Sequence, residues 1–239
     1  MLNNFDTSEI NDEPARLSQC LQESVADFHV HLSDQQLNSF LLYYQELKFW
    51  NSRVNLISSS ESATDIFIKH FLDSLTLIPF ITVPDGRLLD IGTGGGFPGI
   101  PLKIALKSLN VTLVEASRKK VSFLKSMNRL LKLNDIQVLQ ERVECLLHKE
   151  QYRNRFDIVV SRAALKLPEY LRFGKELVSS HGVIIAMKGA NYQLELDEIQ
   201  EHLDNMGLSL AEVHSLTLPL TGEFRAILIF KRSLSRDLK

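Results

Sequence analysis

Leu88-Leu89-Asp90-Ile91-Gly92-Thr93-Gly94-Gly95-Gly96-Phe97-Pro98-Gly99 is the stretch on which the fold turns. An apolar run short enough for one buried strand passes into a glycine cluster, and the cluster passes into a segment of helical periodicity. Glycine tolerates positive φ and carries no Cβ, so Gly92, Gly94, Gly95 and Gly96 together let a ligand lie against bare backbone. Pro98 suits the first turn of the helix that follows. In a parallel sheet, ligands bind outside the carboxyl ends of the strands, which is where this loop falls. A plain tight turn does not call for so many glycines so close together.

Two ligand types fit such a loop. Gly94, Gly96 and Gly99 satisfy the G-x-G-x-x-G pattern of dinucleotide sites, a weak signal by itself. The same residues also read Asp90-x-Gly92-x-Gly94-x-Gly96, which resembles motif I of class I methyltransferases, where the acid lies by the cationic methionine portion of the cofactor. Charge separates the two. A pyrophosphate gains nothing from a neighbouring carboxylate, whereas a sulfonium and an amino group are cationic. Glu115 ends the next strand, about 20 positions beyond Gly96, where an acid accepts hydrogen bonds from ribose hydroxyls in either type of site. S-adenosyl-L-methionine is therefore the expected cofactor, with an NAD-dependent oxidoreductase as the alternative. That alternative needs a catalytic Tyr-Lys pair or a histidine constellation, and none stands out. Arg118-Lys119-Lys120 reads as a solvated face.

Outward from the loop, short apolar runs alternate with helical segments. The expected strands are Arg87–Ile91, Val111–Glu115, Ile136–Leu139, Phe156–Val160, Val183–Met187, Leu208–Leu216 and Ala226–Phe230. Helical periodicity covers Pro98–Leu109, Arg118–Leu131, Val143–His148 and Pro168–Ser179. Such alternation implies a parallel sheet with helices on both faces. The last two strands are joined only by Thr217–Glu223, with Pro219 and Gly222, so they form an antiparallel hairpin. The fold class is α/β: a Rossmann-like, class I methyltransferase sheet of seven mostly parallel strands. Residues 1–85 read as a helical N-terminal region packed on this core, and 86–239 as the S-adenosylmethionine-binding domain, the two making one structural unit. In the first region a polar, acidic start from Asn3 to Glu13 reads as frayed. Ser33 reads as an N-cap, followed by Leu37, Phe40, Leu41, Tyr44 and Leu47 at helical spacing. A second helical stretch runs from Ala63 to Phe80.

Composition bounds the partners. With 44% hydrophobic and 23% charged residues, the 239-residue chain has the make-up of a globular protein with a full core. Two cysteines, far apart, form neither a metal nor a disulfide pattern, and His29 and His31 lack the spacing of a helical zinc pair, so no metal is expected. No apolar run reaches the roughly 18 residues of a membrane helix, and residues 1–30 carry no signal-peptide core, which together point to the cytoplasm. Net charge is −2, whereas a stand-alone nucleic-acid binder is usually strongly basic.

A more specific likeness overrides that charge argument. Asp90–Gly99, Ser161-Arg162-Ala163 and Met187-Lys188-Gly189 occur in this order, and Asn55-Leu56-Ile57 and His70-Phe71-Leu72-Asp73-Ser74-Leu75 precede them. From about Leu37 to Lys231 the chain resembles the RsmG family, also called glucose-inhibited division protein B, of bacterial small-subunit ribosomal RNA methyltransferases. The resemblance implies methyl transfer from S-adenosylmethionine to N7 of a guanine in the 530 loop of 16S rRNA; another RNA or a protein remains open as substrate. It places Asp90, Gly92, Gly94, Gly96, Phe97, Glu115 and Arg162 at the cofactor, with Val143 and Glu144 at its adenine. Guanine N7 carries no proton, so no general base is expected, and Arg162 and Lys188 at strand ends become the positioning residues, Arg162 toward guanine O6 or phosphate and Lys188 toward phosphate. Phe97 and Trp50 are candidate surfaces for stacking an RNA base, with Trp50 reading more naturally as core. The expected partner of a monomeric enzyme is 16S rRNA or the small ribosomal subunit; the near-neutral charge calls either for a local basic face or for a ribosomal particle in place of naked RNA, and favours the second.

Overall fold

The computed structural model describes residues 14–26 and 30–233; the Asn3 to Glu13 stretch and His29 lie outside them. Seven strands form one sheet in the order β3-β2-β1-β4-β5-β7-β6. They are β1 Arg87–Ile91, β2 Asn110–Glu115, β3 Ile136–Gln140, β4 Phe156–Arg162, β5 Val178–Lys188, β6 Leu208–Thr217 and β7 Phe224–Arg232. β1 pairs in parallel with both β2 and β4, and only β7 runs against its neighbours β5 and β6. The order reverses between β1 and β4. A ligand crevice therefore opens where the glycine loop leaves β1.

Alternation along each strand feeds two cores. Leu88 and Val111 pack with Phe97, Ile100 and Phe123 on one face, while Leu89 and Ile91 pack with Tyr170, Leu171 and Phe230 on the other. The helices are α1 Pro14–Ala26, α2 Asp34–Asn51, α3 Ala63–Asp65, α4 Asp73–Leu75, α5 Gly99–Ala105, α6 Arg118–Leu131, α7 Val143–Leu146, α8 Leu167–Leu177 and α9 Tyr192–Gln200. Leu17, Leu21 and Val25 of α1 belong to the same cluster as the first face of the sheet, so the helical region and the sheet share a core.

The N-terminal helices depart from the sequence pattern in two ways. Ser33 caps α2 through a reciprocal capping box with Gln36, yet the buried face of α2 is Gln36, Phe40, Tyr43 and Leu47. Tyr43 replaces Tyr44 on that face because it has a polar partner inside: its hydroxyl donates to the Gly95 carbonyl. Gln36 likewise reaches across to donate to the Ile104 and Ala105 carbonyls at 2.8 and 2.9 Å, closing the open end of α5. The expected helix from Ala63 to Phe80 is interrupted: Ile66–Leu72 is π-helical between α3 and α4, and a 3-10 turn at Ile78–Phe80 follows. That widened turn buries Ile66, Phe67, Ile68, Phe71 and Leu72 together. α9 has no counterpart in the sequence pattern; only Leu196 and Ile199 are buried, too few to set a period.

Candidate functional site

The glycine loop is fastened to three strands. Gly92 and Thr93 amides donate to the Val114 carbonyl of β2 at 2.9 and 3.2 Å. The Ser161 hydroxyl of β4 donates to the Ile91 carbonyl at 2.9 Å. From within, one oxygen of the Asp90 carboxylate accepts from the Thr93 hydroxyl at 2.6 Å and from the Gly99 amide at 2.9 Å. Gly92, Gly94 and Gly96 all have positive φ, at 69°, 58° and 97°. The first and third are also steric necessities: a Cβ on Gly92 would lie 2.3 Å from the Ala164 Cβ, and one on Gly96 would lie 2.5 Å from the Tyr43 hydroxyl. A Cβ on Gly94 would meet nothing nearer than 3.9 Å, so the loop's bare face is at Gly94.

Beside the loop lies a cleft of about 380 Å³, lined among others by Gly92, Glu115, Lys120, Arg142, Val143 and Glu144. One Glu115 oxygen accepts from the Gly94 amide at 3.1 Å and the other from the Ser117 amide at 2.8 Å. A carboxylate has about four lone-pair sites, so this one is fixed in place with acceptor capacity to spare for two hydroxyls.

Asp90 stands elsewhere than the sequence pattern implies. It is fully buried inside the loop and forms no part of the cleft wall. Its second oxygen has no hydrogen-bond partner. Burial raises its pKa to about 6, against the lowering effects of the Thr93 and Gly99 hydrogen bonds and of Arg162. An uncompensated carboxylate held that close to a ligand floor favours a cation above it.

A second hollow of about 440 Å³ opens beyond β4 and β5, lined by Glu61, Lys69, His70, Asp73, Arg162, Lys188, Glu223 and Arg225 among others. Arg162 is at its centre. Nη1 donates to the Lys69 carbonyl at 2.7 Å and to Asp73 at 3.2 Å, Nη2 donates to His70 Nδ1 at 2.7 Å, and the guanidinium sits 5.0 Å over the Phe97 ring. Arg162 thus lines this hollow and not the cleft beside the glycine loop, and three of its N–H donors serve the protein. Asp73, 1% exposed, also accepts from Arg225 at 3.1 Å. Lys188 donates to Glu195 at 2.7 Å and is 10% exposed.

The Phe97 ring is 3% exposed, stacked between Tyr43 at 5.4 Å and His70 at 4.8 Å. With both faces covered it has no surface for an RNA base. Trp50 is partly buried, packed against the core and edge-on to Phe123 at 5.8 Å. Of the residues expected at the cofactor, Gly92, Glu115, Val143 and Glu144 come together along the cleft, while Asp90 lies beneath the loop and Gly96 packs against Tyr43 and Ile100. Sequence spacing gave no hint that Tyr43 and Glu61 touch the loop and His70, since their partners lie up to 52 positions away.

Sheet order, the glycine loop at the reversal point and the fixed acid on the adjoining strand leave one class, that of class I S-adenosylmethionine-dependent methyltransferases. The family model described as rRNA small subunit methyltransferase G matches residues 36–222. A ribosomal RNA small subunit methyltransferase G of Syntrophus aciditrophicus (strain SB) is 71% identical over 237 residues, covering 99% of this chain and 98% of its own. Two solved structures share the fold at low identity. The ribosomal protein L11 methylase of Lactobacillus delbrueckii subsp. bulgaricus gives a TM-score of 0.52 at 18% identity over 70% of this chain and 79% of its own. M. jannaschii TYW2 in complex with AdoMet gives 0.51 at 19% identity over 64% and 72%. The chain belongs to the rRNA small subunit methyltransferase G family, and its cofactor is S-adenosylmethionine. The dinucleotide oxidoreductase is thereby replaced as a reading of the same loop.

Proposed function

We propose that this methyltransferase modifies N7 of a guanine in the 530 loop of 16S rRNA, in the cytoplasm, as a monomer acting on small-subunit particles. Family membership along nearly the whole chain is the observation that carries this reading. Within it, the helical region 1–85 and the sheet 86–239 act as one unit.

S-adenosylmethionine, when bound, supplies a methyl group already activated on sulfur. Glu115 accepts from its ribose hydroxyls. Val143 and Glu144 would flank its adenine, and the bare backbone at Gly94 would accommodate its methionine end, with Gly92 and Gly96 holding the loop's shape. Asp90, beneath the loop, offsets the positive charge there. Guanine N7 presents a lone pair and no proton, so the residues around the second hollow need only orient the base and exclude water. Arg162 and Lys188 do so as positioning residues, each held by acidic or carbonyl partners that fix its direction.

The RNA backbone needs cations that are not already engaged. Arg118, Lys119, Arg142 and Lys166 are exposed, and Lys120 half-buried, at the helix starts after β2, β3 and β4, beside the cleft. None of the five has a salt bridge among the described residues, whereas Lys69, Arg162, Lys188 and Arg225 do. A local basic rim of this kind supports phosphate contact despite a net charge of −2.

Mass spectrometry of 16S rRNA from cells lacking the protein tests the reading. One guanine methyl in the 530 loop should be missing and should return with the purified enzyme and cofactor. An unchanged loop, or a methyl lost from another base, overturns the assignment.

A further inference from the structure

The π-helical segment Ile66–Leu72 carries His70 into the wall of the second hollow. The imidazole is nearly enclosed, with its side chain 13% exposed. Nδ1 is 2.7 Å from Arg162 Nη2, and Nε2 is 2.9 Å from Glu61 Oε2. A guanidinium has donors only, so Nδ1 must present a lone pair to it. The ring proton then sits on Nε2 and is donated to Glu61. The ring's flat side lies 4.8 Å from Phe97, with an interplanar angle of 28°. His70 therefore touches both the residue that closes β4 and the aromatic that closes the glycine loop.

We infer that His70 is a positioning residue for methyl transfer: as the neutral Nε2–H tautomer it fixes the Arg162 guanidinium and the Phe97 ring, and through Phe97 the loop that floors the cofactor cleft. The inference rests on the methyltransferase activity and not on which base is methylated.

Protonation would set N–H against N–H across 2.7 Å. The charged groups that share this hollow with the ring are Glu61 from the loop before α3, Asp73 and Lys69 on its own helical run, Arg162 from β4, Lys188 from β5, Glu223 just before β7 and Arg225 on β7. Glu61 and Asp73 favour the cation, while burial and Arg162 oppose it, and the sum lowers the His70 pKa below its usual 6.5. The neutral form is thus the resident one at ordinary pH. Arg162 retains the Lys69 carbonyl and Asp73 when His70 is protonated, so the consequence is a loosened clasp and not an unfolded site.

Imidazole ¹⁵N NMR of the full-length protein reads the claim directly. The neutral Nε2–H form is expected at pH 7.5, and Arg162→Gln should raise the His70 midpoint by about one unit by removing a cation in contact. Finding the Nδ1–H form, or an unmoved midpoint, overturns the clasp. A kinetic pair separates positioning from packing: His70→Asn keeps an acceptor near the Nδ1 position and His70→Leu does not. The Asn variant should keep about 10-fold more methyl transfer than the Leu variant at matched folding, on any small-subunit rRNA substrate the wild type accepts. It should also show less activity loss between pH 7.5 and 5.5 than wild type. Equal losses in the two variants would mean that filling the space is all His70 does.

Discussion

The cleft beside the glycine loop and the ionic hollow share the carboxyl edge of the sheet, but the first rests on backbone geometry and the second on side-chain charges. The cleft depends on residues that lack something: Gly92, Gly94 and Gly96 contribute amides, positive φ and the absence of Cβ atoms. The Glu115 side chain on its wall is itself held by amides of Gly94 and Ser117. The hollow depends on long side chains that neutralise one another, Arg162 and Arg225 converging on Asp73 and Lys188 on Glu195. A backbone-built site fails sterically, all at once. A charge-built site fails by graded loss of pairing, and burial sets the grade.

The steric side should give the largest effect. Gly92→Ala must carry a Cβ at φ 69° and place it 2.3 Å from the Ala164 Cβ. Relief requires the loop to move away from β4, at a cost of about 3 kcal/mol or more. Cofactor affinity should fall by at least about 100-fold in calorimetry, with the far-ultraviolet dichroism of the fold retained. Affinity within about tenfold of wild type would show that the loop accommodates side chains and that the contrast is misplaced.

This division also marks what could be read in the sequence. All seven strands, the loop and Glu115 follow from local pattern, because strand burial and glycine spacing are properties of neighbouring residues. The ionic hollow is not local. Arg162 meets His70 and Lys69 across 92 and 93 positions, and Arg225 meets Asp73 across 152. Asp73 and His70 were visible within the family-like stretch His70–Leu75, but nothing in their spacing says what they hold. The same blindness explains Phe97. An aromatic after a glycine cluster looks available for stacking until Tyr43, His70 and Arg162, from three separate elements, are found around it. Gln36 is a similar case, a polar residue on a buried helix face whose partners are carbonyls at the end of α5.

On the charge-built side, Asp73→Ala leaves two guanidinium groups, each 19% exposed, facing each other without their shared anion. Removing one partner of a buried ionic group costs about 3 to 5 kcal/mol. Urea denaturation should show a loss of that order. A loss under about 1 kcal/mol would mean that water, reaching in through the hollow, already carries the two charges.

Asp90 belongs to the backbone-built side by position yet behaves electrostatically, so its pH dependence sharpens the distinction. Its folded pKa, about 6, lies above the ordinary 3.8. The ionised form is the penalised one, so the penalty is complete above about pH 6 and absent below about pH 4. Wild-type apoprotein should lose stability as pH rises through that window, by up to about 3 kcal/mol from this group. Asp90→Asn, which cannot ionise, should gain on wild type as pH rises from 4.5 to 7.5 while binding the cationic cofactor more weakly. A stability difference that stays constant across those pH values would place the Asp90 charge in contact with water.

The smallest effect is expected at an ion pair that looks stronger on distance alone. Arg153 reaches Glu176 at 2.6 Å, closer than Arg162 comes to Asp73 at 3.2 Å, but its partners are 48% and 35% exposed. Water and salt screen such a pair, and holding two long side chains together costs rotamer entropy, leaving about 0 to 1 kcal/mol. Arg153→Ala should therefore shift the urea midpoint only slightly, and less still at 0.5 M salt. If it instead matched Asp73→Ala, separation and not burial would govern the charge network, and the special cost assigned to the hollow's buried anion would have to be given up.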